Sequence, residues 1–572
     1  MNSARTQFRC QEANLRFWLG LLLISWVVFG TGKATAEGDA KPFPSLYQLG
    51  EVFEASLEKE KTESPIGRQV TGITVPHHLL APDLIARGFS LASGGSYDRI
   101  ILLSPDHFRR ARKPFATTAR DFRTVLGPVL SDSSAVGDLR RRCALVEESD
   151  LFGKEHGIQA ILPFIAHFFP DTKVIPIVIR VDSDPQDWRE LVEDLKPLIT
   201  DRTLVIQSTD FSHYLPETIA TRRDQETMNV LATGSLELLS RLIQPDHLDA
   251  KAAQWIHQAI QTEVFQATLA IVSHSNANQY AASPLEDSTS YLLQVFEKNA
   301  ASQPPWPPRE GEALYFFAGD TFLGRNFTHL AANPDYAKKA RQRILRLTGG
   351  APLIVNLEGV MSSVPSSDPD TRQLIMPETL TLDWLKKLNV VGVSLANNHA
   401  HDRGEKGYLR TRELLQQHHI AVIGDGEVHD FGRFNLAAFT DLSNQRPPYT
   451  RMLEPEQVEP ALLGKNSPPL FCFLHWGREW SATPGAREEA LTQLLFDAGA
   501  SAIVGSHPHT AGTGIESFRG GRCARAYSMG NFLFDQRDPR ASGGLVEARF
   551  FATGTYALRW IPLGNLFREQ SP

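Results

Sequence analysis

Ala502-Ile503-Val504-Gly505-Ser506-His507-Pro508-His509 sets a short apolar run, then a glycine, then two histidines. A brief β-rich run of this kind reads as a buried strand. The histidines fall just past its end, and open α/β sheets bind ligands outside the carboxyl ends of their strands. The same grammar recurs along the chain. In the second half, Leu314–Phe317 leads to Asp320, Leu353–Val355 to Glu358, Val390–Leu395 to Asn398 and His399, and Leu470–Leu474 to His475. In the first half, Gly72–Val75 leads to His77 and His78, Arg99–Leu103 to Asp106 and His107, and Thr203–Ile206 to Asp210 and His213; Lys173–Val181 is a further run. One strand-end histidine is usually structural. Several in one domain are hard to explain by packing, because buried imidazole and carboxylate groups are costly without partners.

Amphipathic stretches separate the runs. Glu489 to Ala498 carries Leu491, Leu494, Leu495 and Ala498 at helical spacing, and Gly499 supplies a stop. Strands alternating with helices predict α/β layering. The 572 residues exceed one ordinary domain. Pro304-Pro305-Trp306-Pro307-Pro308 cannot continue a helix or a central strand, and it predicts an extended linker at 299–311. The expected organisation is a polar lead-in at 37–67, one α/β domain at 68–298 and a second at 312–572.

Composition excludes several classes. Hydrophobic residues make up 42% and charged residues 22%, an ordinary globular balance. The 58 Lys and Arg against 65 Asp and Glu leave a net charge of -7, which is not the footprint of a nucleic-acid binder. Four cysteines do not make a disulfide scaffold. Arg5, Arg9 and Arg16 precede a 14-residue apolar stretch, Phe17 to Gly30, and Ala34-Thr35-Ala36 follows as a small-x-small pattern. That is the layout of a secretory signal, and the stretch is shorter than the roughly 20 residues of a comfortable span. A cleaved signal or a membrane anchor at 1–36 is expected. Either makes the chain exported, periplasmic or facing outward from the inner membrane. Cleavage removes Cys10 and leaves Cys143, Cys472 and Cys523, an odd number, with Cys472 reading as a plain buried thiol.

The second half carries a donor series: Ala318-Gly319-Asp320, Asn356-Leu357-Glu358-Gly359, Ala396-Asn397-Asn398-His399, His475-Trp476-Gly477, Gly505-Ser506-His507-Pro508-His509, and Tyr527-Ser528-Met529-Gly530-Asn531-Phe532. Carboxylate, amide oxygen and imidazole suit Zn, Mn or Fe. A bridging carboxylate can hold two such ions about 3.5–4 Å apart, which activate water and clamp a phosphoryl oxygen. The series resembles the bacterial capsule-synthesis CapA family, linked to poly-γ-glutamate capsules and similar in fold to calcineurin-like metallophosphoesterases. The resemblance implies a metal set of Asp320, Glu358, Asn398, His475, His507 and His509, with one or two ions. It implies His399 as the acid or charge stabiliser, and Asn531 and Ser528 as residues lining the site. Asp320 lacks the usual Asp-x-His partner, and Glu358 stands where an aspartate is usual. His401 and Asp402 read as loop supports. The partners implied are an anionic exopolymer or its precursors and membrane proteins of capsule synthesis.

The first half carries Pro76-His77, Ser104-Pro105-Asp106-His107, Glu155-His156-Gly157-Ile158-Gln159 and Ser208-Thr209-Asp210-Phe211-Ser212-His213. This order resembles the Memo family, also called AmmeMemoRadiSam system protein B, similar in fold to class III extradiol dioxygenases. The resemblance implies metal ligands at His77 and His107, with His156, Asp210 and His213 in the pocket. Two imidazoles and one further ligand suit iron or copper. The family's third ligand, a cysteine in a Cys-Gly-x-x-Pro segment, is absent. His257 or Glu263 are the expected substitutes, and His78 reads as a supporting or exposed residue.

Overall fold

The computed structural model describes residues 41–60, 68–364, 372–424, 427–442 and 468–568. The expected signal or anchor lies outside the described residues. Among those residues no helix is long and apolar enough to cross a membrane.

The first half is built on one eight-stranded sheet. Its order is Val146–Glu148, Phe115–Thr117, Lys173–Ile179, Arg99–Pro105, Thr203–Ser208, Val70–Val75, Ser290–Glu297, Thr268–Asn276. The four strands from Lys173–Ile179 to Val70–Val75 run parallel. Parallel strands need helical cover on both faces, and here alternate side chains enter different cores. Ile101 and Leu103 join Trp188, Leu191 and Ile256 on one face, while Ile100 and Leu102 join Phe89, Phe164 and Ile165 on the other.

The second half is a sandwich of two sheets. One has seven strands in the order Ala421–Ile423, Val390–Ser394, Leu353–Leu357, Ala313–Thr321, Gly543–Phe550, Tyr556–Gly564, with Asn531–Leu533 pairing Ala313–Thr321. The other runs His429–Asp430, Asn435–Thr440, Leu470–His475, Ala502–Ser506, Cys523–Ala526, Ile515–Phe518. The period-2 pattern assigns each face its core. Phe317 meets Phe471 and Phe473 between the sheets, whereas Phe316 and Ala318 face helices on one outside and Cys472 and Leu474 face helices on the other. The helix expected at Glu489–Ala498 spans Ala486–Asp497. Gly499, at φ 106°, closes it, and the Ala500 amide bonds back to Leu495 O at 3.0 Å. The chain therefore has two α/β domains, the second a sandwich.

Two expectations fail at the edges of these domains. The lead-in is not loosely polar: Glu51–Lys59 is a helix, and Phe43 and Phe53 are buried in the first domain's core. Nor is the proline run an extended spacer. Trp306 is fully buried, with the Arg68 guanidinium 3.4 Å from its ring centroid. Its carbonyl accepts from Arg549 at 2.5 Å, and the Pro307 carbonyl accepts from Arg87 at 2.8 Å. Prolines lack N–H donors but keep their carbonyls, so the run is fastened through its acceptors.

The two domains share a packed seam. Glu297 pairs Arg68 at 2.9 Å within the first domain and Arg559 of the second at 3.0 Å. Helix Glu217–Ala232 lies against the second domain, where the Gln225 side chain both donates to Tyr556 O and accepts from Tyr556 N at 2.9 Å. His274 bridges Asp224 at 3.0 Å and Thr555 at 2.8 Å. Cys143, Cys472 and Cys523 are all buried and free.

Candidate functional site

The sandwich brings its donors together from both sheets. Asp320 ends one strand of the first sheet, Glu358 follows Leu353–Leu357, and Asn398 follows Val390–Ser394. His475 ends one strand of the second sheet, and His507 and His509 follow the next. Close backbone approach makes this convergence possible. A Cβ on Gly319 would stand 1.9 Å from Gly530 O, so only glycine lets the Asp320 strand lie against the turn that leads into strand Asn531–Leu533.

The contacts are dense. His509 Nδ1 lies 3.1 Å from Asp320 Oδ2 and 2.9 Å from Asn531 Oδ1. Asn356 donates to Asp320 Oδ1 at 2.8 Å, and the His507 backbone amide donates to Asp320 Oδ2 at 3.1 Å. His475 Nε2 donates to Asn398 Oδ1 at 2.8 Å and stands 3.9 Å from Glu358 Oε1. His399 Nδ1 donates to Asp402 at 2.8 Å, with its Nε2 3.9 Å from Glu358. Asp402 is thus a support, as expected. The Ser528 hydroxyl donates to Thr510 O and accepts from the Gly530 amide, which fixes the turn ahead of Asn531.

Burial and charge set the protonation. Burial would raise Asp320, but His509 and the neighbouring histidines outweigh it and hold it low. Burial and the nearby Asp320 charge raise Glu358. Burial and the His509 charge push His507 down to about 4. Burial also opposes a charged His509, yet Glu358 and Asp320 carry it up to about 9. Protons here substitute for missing positive charge. Glu358, His507 and His509 offer ligand atoms within 4.8 Å of one another, and Glu358 Oε2 and His507 Nδ1 are buried with no hydrogen-bond partner. Such orphaned atoms are costly, and a divalent cation would satisfy both. The residues present therefore fit a metal.

The first domain builds a second cluster at the ends of its parallel strands. His77, His107 and His156 offer ligand atoms within 4.8 Å. The His107 and His156 ring centroids are 3.9 Å apart. Asp210 accepts from the His77 amide at 3.1 Å. Glu155 holds His107 Nδ1 at 2.6 Å. His213 turns back to its own chain and bonds Phe211 O. His78 Nδ1 is held by the Tyr291 hydroxyl at 2.7 Å.

Both expected substitutes for the third ligand fail. His257 is wholly buried on helix Lys251–Ile260, 3.0 Å from Gln207 Oε1. Glu263 is held by Arg189 at 2.7 Å and Lys196 at 3.3 Å. The carboxylate that does face the pair is Asp249, just before that helix. Its Oδ2 is 3.2 Å from His77 Nε2 and 3.4 Å from His107 Nε2, and its Oδ1 is buried without a partner. Asp249 follows no apolar run, so strand-end reasoning missed it; Asp246-His247-Leu248-Asp249 ahead of a helix was the available signal. Burial opposes a charged His107, but Asp249 and Glu155 raise it to about 10. Burial and the charges on His107 and His77 lower His156 to about 2.

Residues 47–292 match the family model described as Memo-like protein, and residues 315–433 and 452–536 match that of bacterial capsule synthesis protein PGA_cap. The second half is similar to the capsule biosynthesis protein CapA of Bacillus anthracis, 30% identical over 34% of this chain and 51% of the relative. It is similar also to the PGA biosynthesis protein CapA of Bacillus subtilis, 28% identical over 31% of this chain and 52% of that one. The first half is 26% identical to a MEMO1 family protein of Aquifex aeolicus, over 39% of this chain and 63% of the relative. The chain thus spans half to just under two thirds of these relatives' lengths.

Proposed function

Starting from a chain that joins a Memo-like domain to a PGA_cap capsule-synthesis domain, we propose that it serves the biosynthesis of an anionic capsule exopolymer through a metal-dependent hydrolytic site in the second domain. The reading includes export through the N-terminal segment and work at the cell envelope beside membrane partners of capsule synthesis. The observation that carries it is the convergence of Asp320, Glu358, Asn398, His475, His507 and His509, with Glu358 Oε2 and His507 Nδ1 left unpartnered. One or two ions of Mn, Zn or Fe would be held there and would supply Lewis acidity and activation of water.

The chain's own residues supply the rest. Asp402 fixes the His399 ring through Nδ1, which leaves Nε2 toward Glu358. Burial opposes charge on His399, but Asp402 and Glu358 outweigh it and raise its pKa, which favours a proton there. That proton serves a leaving oxygen or nitrogen of a phosphate ester or an amide. Asn531 orients His509 and Asn356 orients Asp320. The test is metal per chain by mass spectrometry with phosphodiester hydrolysis, in wild type and in Asp320→Ala plus His507→Ala. Loss of one or two ions together with activity is expected. A metal-free protein that takes none up on reconstitution would overturn the reading and favour a non-catalytic assembly factor.

A second reading rests on Asp249. Two imidazoles and a carboxylate facing one point suit iron, and copper less well, for redox chemistry in the first domain. Iron retained in full by His77→Ala plus His107→Ala would refute it.

A further inference from the structure

A cavity of about 500 Å³ opens on the seam between the domains, and no member of either histidine cluster lines it. One wall belongs to the first domain, with Arg222, Arg223 and Arg241; the other is the turn Ser517–Arg522 of the second, with Arg519 and Arg522. The walls are held together. Asn229 donates to Gly521 O at 2.8 Å. A Cβ on Gly521 would stand 2.3 Å from Glu226 O, and its φ is 100°, so the turn is pressed onto helix Glu217–Ala232 as only glycine allows. The cleft is therefore a fixed part of the fold.

Its charge is unbalanced. Arg223 is paired with Glu226 at 2.7 Å, Arg519 with Asp497 at 2.6 Å, and Arg241 with Glu237. Arg222 and Arg522 are exposed and have no ion-pair partner among the described residues. Two donors on the walls, Arg223 Nε and Ser517 Oγ, are buried with no hydrogen-bond partner. Val230 and Leu242 are buried in the floor and Ile243 is exposed at its edge. Guanidinium groups match carboxylates bidentately, and an apolar floor accepts methylenes.

We propose that this seam cleft binds a polycarboxylate chain, whose carboxylates meet Arg222, Arg522 and the orphaned donors while its methylenes lie on Val230, Leu242 and Ile243. The choice of polymer rests on the capsule reading, but the site is separate from the metal cluster. Phosphate could meet the same guanidiniums, so both chemistries enter the test.

The experiment titrates labelled poly-γ-glutamate, and polyphosphate of matched charge, into the metal-loaded full chain by fluorescence anisotropy. Wild type, Arg222→Glu plus Arg522→Glu, and Asp320→Ala are compared. Both arginines are exposed, so the reversal leaves the core alone, and thermal melting checks this. Poly-γ-glutamate is expected to bind, to weaken with salt, and to bind the charge-reversed variant about tenfold less tightly or worse. Asp320→Ala should bind as wild type does. Absence of binding, or equal binding by the charge-reversed variant, would overturn the proposal. Loss in Asp320→Ala alone would place the polymer at the metal cluster instead. Polyphosphate binding more tightly, with the same arginine dependence, would refute the carboxylate assignment. Seam binding by a metal-loaded wild-type protein that shows no hydrolytic activity would sink the hydrolase reading and leave the seam site standing.

Discussion

The two histidine clusters occupy the same kind of address, the carboxyl ends of parallel strands, yet they are built differently. The first takes His77 and His107 from the strand ends of one sheet, and is completed from outside it by His156 at a helix start and by the carboxylates of Glu155 and Asp249. Its His107 and His156 side chains remain 19% and 36% exposed. The second is divided between two sheets, and its Asp320 and His475 side chains are 0% and 1% exposed. A one-sheet cluster keeps a wet side. A two-sheet cluster closes over its donors, so each charge there must be answered by another charge or by a cation. The comparison teaches that a second sheet closing over the donors leaves Asp320 and His475 drier than His107 and His156.

The sharpest way to break the comparison is Asp320→Ala. We expect its metal content to fall by the whole of the second cluster's share while the first cluster keeps its own, read by mass spectrometry on dialysed protein. Coupled losses would show that the two clusters are not independent. Next comes Asp249. Asp249→Ala should weaken the first cluster about 100-fold or more, since it removes a ligand where loss of an outer partner alone typically costs 10–100-fold. Asp249→Cys should turn the site from iron toward copper, because thiolate is the softer donor; an unchanged metal preference in competition dialysis would refute the ligand role.

Outer partners should matter less. Glu155→Gln, which loosens His107, and Asp402→Asn, which loosens His399, should each cost about 10–100-fold, the first in metal affinity and the second in turnover. The smallest effect is the pH profile of metal-stripped protein. His107 is raised from 6.5 to about 10, so its contribution is full below 6.5 and is lost as pH rises through about 10. His156 is lowered from 6.5 to about 2, so its contribution is full above 6.5 and falls away on acidification. Thermal melting should peak near neutrality and flatten when Asp249→Ala relaxes His107.

Much of this was legible in residue order. Every apolar run assigned as a strand is one, and all but Lys173–Val181 end within a few residues of the polar group assigned to them, because strand ends are where a parallel sheet exposes its chemistry. Asp320 and His475 are the last turns of that logic, lying inside their strands. What was not legible depends on tertiary contact. Asp249 is brought in by a loop with no periodic signal. Ser528 lies in the motif as read, and the bond from its hydroxyl to Thr510 O is a contact that residue order does not show. The proline run looked like a spacer because proline chemistry says nothing about who accepts its carbonyl bonds; Arg87 and Arg549 lie more than 200 residues away in sequence from the residues they hold, as the separations of 220 and 243 show.

Glu297 closes the last long strand of the first domain and holds one arginine from each domain. A gene cut at the proline run would leave Arg559 without the carboxylate that only the other half encodes, buried at 6% side-chain exposure. The two halves are thus bound to a common inheritance: neither can be traded for another version without carrying its share of that ion network along.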